Sequence, residues 1–118
     1  MEKSNIEKLN QANQAMGAYA KASPELMGAF MKVHHIGSSA GALSAKYKEL
    51  IALGIGIHTK CEGCILGHIK TALDAGATHD EVVEAIDVAV YMSGGPGVVY
   101  GAKAFAALQE FENSNSDK

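Results

Sequence analysis

The sequence predicts an all-α fold for this 118-residue chain, and three observations carry that prediction. No segment alternates apolar and polar residues, with enough β-branched side chains between turns, to demand a strand. Apolar residues recur instead at three- and four-residue spacing along most of the chain. Helix start and stop signals punctuate the runs: Ser4, Ser23, Ser44 and Thr78 ahead of them, Gly76 and Gly94-Gly95-Pro96-Gly97 behind. The length allows one compact domain over 1–118, with a modest core that gains from association.

About six helices follow in order. The first starts near Asn5, where Ser4 and Glu7 have capping-box spacing, and runs through Leu9 and Met16 toward Ala20. Ser23-Pro24 opens the second, serine as cap and proline at the first helical position, carrying Leu26, Phe30 and Val33 up to the Gly37–Gly41 loop. Ser44 caps the third. Its run from Leu50 to Ile57 is wholly apolar or glycine, which predicts protein on most of its sides. The fourth begins around Cys61, buries Ile65, Ile69, Ala72 and Leu73, and ends at Gly76. Thr78 and Glu81 box the start of the fifth, with Val82, Ile86, Ala89 and Val90 on one face. The sixth follows the glycine-proline break and runs to about Phe111, leaving 113–118 as a frayed polar tail. Its two apolar stripes, Val98/Ala102/Phe105/Ala106 and Tyr100/Ala104/Leu108/Phe111, predict a homo-oligomer with this helix in the interface.

Charge and composition exclude several classes of partner. The net charge is −3, the ten basic residues are all lysines, and they are scattered from Lys3 to Lys118. Without arginine there is no bidentate reading of guanine or phosphate, so no nucleic-acid partner is expected. The longest apolar run is too short to cross a membrane, and Met1 to Gln14 has no signal-peptide pattern. Two cysteines three residues apart do not make a secreted disulfide framework, and a cytoplasmic location is expected.

Those two cysteines, the chain's only ones, concentrate its chemistry. In Cys61-Glu62-Gly63-Cys64-Ile65-Leu66-Gly67-His68 the thiols and the imidazole fall at i, i+3 and i+7, nearly one helical face. Both sulfurs lie near the helix start, where unpaired N–H groups favour thiolate. Their spacing permits a disulfide, formed when one thiol attacks an oxidant and the other displaces water from the sulfenic acid. Glu49 lies on the preceding apolar helix. A short Thr59-Lys60 connection between antiparallel helices places it deep in the pair, beside His68, as a proton relay. A structural metal-binding domain is the alternative, with Cys61, Cys64, His68 and either His58 or Glu49 as ligands, although three ligands crowd one helix. His58 and His34 are candidate cleft residues, for which a helix-end contact and ordinary packing are the bland readings.

Glu49-Leu50-Ile51-Ala52-Leu53, the Cys61–His68 segment and Ala72-Leu73-Asp74-Ala75-Gly76-Ala77-Thr78, followed by Glu81, Glu84, Ala85 and Ile86, resemble the alkyl hydroperoxidase D-like proteins of the carboxymuconolactone decarboxylase superfamily. The likeness covers roughly Ser44 to Tyr91. It implies an all-helical fold in trimers or hexamers. It also implies a peroxidase or disulfide reductase with no bound cofactor and no metal, supplied by an external thiol, dithiol or redox partner protein. In that pattern Cys64 meets the hydroperoxide, the more exposed Cys61 resolves and exchanges, and Glu49 and His68 relay protons. Helix-end logic alone ranks Cys61 as the more acidic thiol. One departure stands out: peroxidase members carry histidine immediately before the second cysteine, and here that residue is Gly63. Disulfide exchange does not depend on that imidazole. The decarboxylase-type lyase reading is the weaker one, since no arginine can clamp a carboxylated lactone.

Overall fold

Hydroxyl and thiol side chains open four of the six helices. In the computed structural model, which describes residues 3–116, Ser4 Oγ accepts the Glu7 N–H, Ser44 Oγ that of Tyr47, and Thr78 Oγ1 that of Glu81, at 3.1–3.2 Å. Each bond satisfies a donor that the first helical turn leaves without a partner. The order is α1 (Asn5–Ala22), α2 (Pro24–Ser38), α3 (Ala45–His58), α4 (Glu62–Asp74), α5 (His79–Ser93) and α6 (Gly95–Ser116). The capping box of α5 closes in both directions. That of α1 closes through Ser4, and Glu110 of α6 takes the Asn5 and Ile6 N–H groups at 3.0 and 3.1 Å. Ser23 stands before Pro24 but makes no side-chain cap.

The core lies among α3, α4, α5 and α6. Leu53, Ile57, Ile69, Val82 and Leu108 are essentially inaccessible, and α1 adds only Leu9. α3 packs chiefly on α4 and α5, and α5 on α6. Gly76, at φ +96°, ends the α4 segment, with its N–H on the Leu73 carbonyl and that of Ala77 on Ala72.

Several expectations change. α6 begins inside the glycine-proline break, because Pro96 sits in the first turn, where no N–H partner is needed. It also runs through 113–116, so those residues are helical; 117 and 118 lie outside the described residues. Its two apolar stripes differ in burial, so the expectation that both serve an interface does not hold. Ala104, Leu108 and Phe111 are buried in the chain's own core, whereas Val98, Ala102 and Phe105 are exposed. The inward seam also includes Gly97 and Gly101. A Cβ there would meet Ser93 at 2.8 Å or Val90 at 2.9 Å, so only glycine lets α6 approach α5 this closely. Nor is α3 enclosed: Ile51 and Ile55 are exposed. α2 buries no residue at all.

Candidate active site

The α3–α4 connection delivers the cysteines. Lys60 takes up φ +58°, donates its N–H to Ile57, and turns the chain so that the Cys61 N–H reaches the Gly56 carbonyl at 3.0 Å. Cys61 thereby becomes the N-cap of α4, its Sγ accepting the Cys64 N–H at 3.3 Å. That bond, with the positive helix end, favours negative charge on this sulfur. The two sulfurs lie at disulfide-bonding distance, with 5.2 Å between the Cα atoms. Cys64 is exposed and Cys61 half-buried, the reverse of the expected order, because the capping position turns Cys61 inward. Gly56 lets α3 lie against this turn, since a Cβ there would be 3.3 Å from the Cys64 Cβ.

One face of α3 carries Glu49, Leu53 and Gly56, all buried. Glu49 is the one buried charged residue among those described, and its partners explain how it is tolerated. Its Oε2 accepts from His68 Nδ1 and from Thr71 Oγ1, each at 2.7 Å. An ionised carboxylate only accepts, so the ring proton sits on Nδ1 and Nε2 is the nitrogen left to take a proton. No hydrogen bond joins His68 to either sulfur. Proton transfer to the pair therefore requires a ring rotation or a bridging water.

Thr71 was not singled out by the sequence, though it lies three residues after His68 and therefore on the same helix face. The other candidates lie elsewhere. His58 Nδ1 pairs with Ser93 Oγ at 2.8 Å, at one end of an apolar groove between α3 and α5. His34 is exposed on α2. The zinc ligand set does not assemble: among the described residues no three His, Cys, Asp or Glu side chains could hold a metal ion. Glu49 already binds His68, and His58 faces another groove.

Residues 24–109 match the carboxymuconolactone decarboxylase family pattern. The chain belongs to this family. A carboxymuconolactone decarboxylase family protein from Legionella pneumophila superposes with TM-score 0.87 at 36% identity, over 91% of this chain and 96% of that one. An uncharacterised Cupriavidus necator protein is 36% identical over 99 residues, 84% of this chain and 88% of its own length. The "Uncharacterized protein 4 in cox locus" of Paracoccus denitrificans is 35% identical over 104 residues, covering 88% and 94%. A paired-cysteine turn on the carboxymuconolactone decarboxylase family fold is consistent with a thiol–disulfide redox role. No helix among the described residues is long and apolar enough to cross a membrane.

Proposed function

We propose that this protein is an alkyl hydroperoxidase D-like thiol oxidoreductase, cycling Cys61 and Cys64 between dithiol and disulfide on an antiparallel α3–α4 hairpin. The observation that carries this reading is the buried Glu49 carboxylate bonded to the half-buried His68 ring, which follows Cys64 by one helical turn. A structural disulfide has no need of a proton relay.

In the oxidative half, Cys64 gives its proton to His68 and its thiolate attacks the hydroperoxide. A sulfur–oxygen bond forms, the oxygen–oxygen bond breaks, and the departing alkoxide takes the proton back to leave as alcohol. Cys61 then attacks the Cys64 sulfenic acid; the disulfide closes, and hydroxide leaves as water with the Cys61 proton. The exposure of Cys64 supports its role toward peroxide, and the N–H bond to Cys61 Sγ supports this thiol as the resolving one. In the reductive half an external dithiol attacks the exposed Cys64, Cys61 leaves as the stabilised thiolate, and the donor's second thiol closes its own disulfide. Hydrogen peroxide, organic hydroperoxides and protein disulfides all satisfy this chemistry. A reducing, cytoplasmic setting would supply the donor, and the working unit is a homo-oligomer, a trimer or hexamer.

Stopped-flow measurement of peroxide-dependent thiol loss tests the scheme. Cys64→Ser should abolish the first oxidation, and Cys61→Ser should stop at a sulfenic acid that a dimedone-type probe captures. Glu49→Gln and His68→Gln should slow oxidation roughly 10²-fold, the usual scale of lost proton transfer, with helicity unchanged. Parent rates in all four variants would sink the site, and a swapped pattern for the cysteines would reverse their assignment.

A further inference from the structure

Two apolar surfaces of this chain are exposed, and the helices that form them match in length. On α2, Leu26, Phe30, Val33 and Ile36 form one stripe at i, i+4, i+7 and i+10, each between 56% and 72% exposed. The second is the groove between α3 and α5, of 610 Å³, walled by Tyr47, Ile51, Ile55, Val88 and Met92. We propose that the apolar stripe of α2 in one copy seats in the α3–α5 groove of a second copy of this chain. This goes beyond the homo-oligomer reading above by naming the faces that meet.

Length, area and polarity favour that occupant. α2 has 15 residues, α3 14 and α5 15, so each spans about 21–22 Å and the helix can lie along the groove for its full length. The stripe has the anchor spacing with which an amphipathic helix fills a groove. If the seating is reciprocal, each copy giving its stripe and its groove to the same partner, and each of the nine half-exposed side chains hides on the order of 100 Å², each copy buries about 900 Å² in that one interface, compared with about 800 Å² per partner in a stable interface. A small polar ligand suits the groove less well. Its His58 and Ser93 side chains already bond each other, leaving little to orient a guest, and α2 would stay uncovered. The radius of gyration, 14.5 Å, exceeds the roughly 13.5 Å of a compact chain this long, as a helix standing off the core requires.

Light scattering of the full chain, with Val33→Glu and Ile55→Glu variants, tests the pairing from both sides. Both positions are exposed in the subunit, so circular dichroism should report unchanged helicity. The parent should be an oligomer, and each variant should weaken association at least about tenfold. A photoreactive benzoylphenylalanine in place of Phe30, in a mixture of ¹⁵N-labelled and unlabelled chains, should cross-link to α3 or α5 of a different chain. This arm decides the matter if a glutamate variant fails to fold. An assembly that survives both variants, or cross-links that land elsewhere, would overturn the pairing while leaving the oligomer intact. A monomeric parent would overturn both, as would a monomer that floats with phosphatidylcholine vesicles.

Discussion

Lys60 is the residue on which the thiol turn pivots. It occupies the left-handed region at φ +58°, where a Cβ crowds the following carbonyl at a cost of about 1–2 kcal/mol. Glycine is the usual occupant of such a position after a helix, because it has no Cβ to crowd. Lys60→Gly should therefore stabilise the chain by about 1 kcal/mol, less whatever glycine adds to the freedom of the unfolded state. Urea unfolding with the cysteines oxidised, compared at equal m-values, reads this directly. A destabilised variant would show that the lysine side chain contributes more than its backbone costs. Glu49 is the opposite case, a group whose environment justifies it. Both of its bonds come from α4, so the carboxylate ties the two helices together while orienting the imidazole.

Among the elements, α1 has its start held by a remote carboxylate. Burial alone would push the Glu110 carboxyl up, but the N–H groups of Ile6 and Asn5 outweigh it and hold the group below the usual glutamate range. A lowered folded-state value means the stabilisation is complete above the unfolded pKa, about 4.3. It is lost as pH falls through the lowered folded-state value. Acid should thus loosen α1 from α6 in the parent, whereas Glu110→Gln should abolish that pH dependence. Near neutral pH the substitution should cost about 0.5 kcal/mol, at the low end for a helix-start carboxylate because this one is partly exposed. Thermal unfolding of both proteins between pH 3 and 7 measures it; parallel pH profiles would count against the cap. Glu81 is likewise held low, by the Thr78 N–H and by Lys46, which joins the starts of α5 and α3 at 2.9 Å.

Across the whole molecule, burial is uneven. The inaccessible side chains sit on α3 to α6, while α2 buries nothing and α1 only Leu9. Segments with few buried contacts open first. Hydrogen exchange should therefore be slowest around Leu53, Ile57 and Ile69 and fastest in α2 when the protein is dilute. If copies associate through α2 as proposed above, α2 should become protected at higher concentration, where its apolar stripe would have a partner. Slow exchange of α2 in dilute, monomeric protein would mean that the subunit alone holds this helix.

The helices and most of their caps could be read from the chain directly. Such features depend on residues within a turn or two, so spacing and cap chemistry report them without a fold. The burial of Glu49 was legible for a related reason: a carboxylate on an apolar helix needs a partner, and His68 was the one at reach. Where neighbouring helices do the choosing, only the tertiary structure decided. It turned Gly97 and Gly101 of α6 inward, because a glycine seam is defined by absent side chains and leaves no hydrophobic period. It exposed Cys64 rather than Cys61, added Thr71 to the carboxylate, and aimed His58 at Ser93. It also left α2 outside the core, although its pattern is as apolar as that of a buried helix. A period of 3.6 residues tells which side of a helix seeks cover, but the cover itself comes from elements distant in sequence.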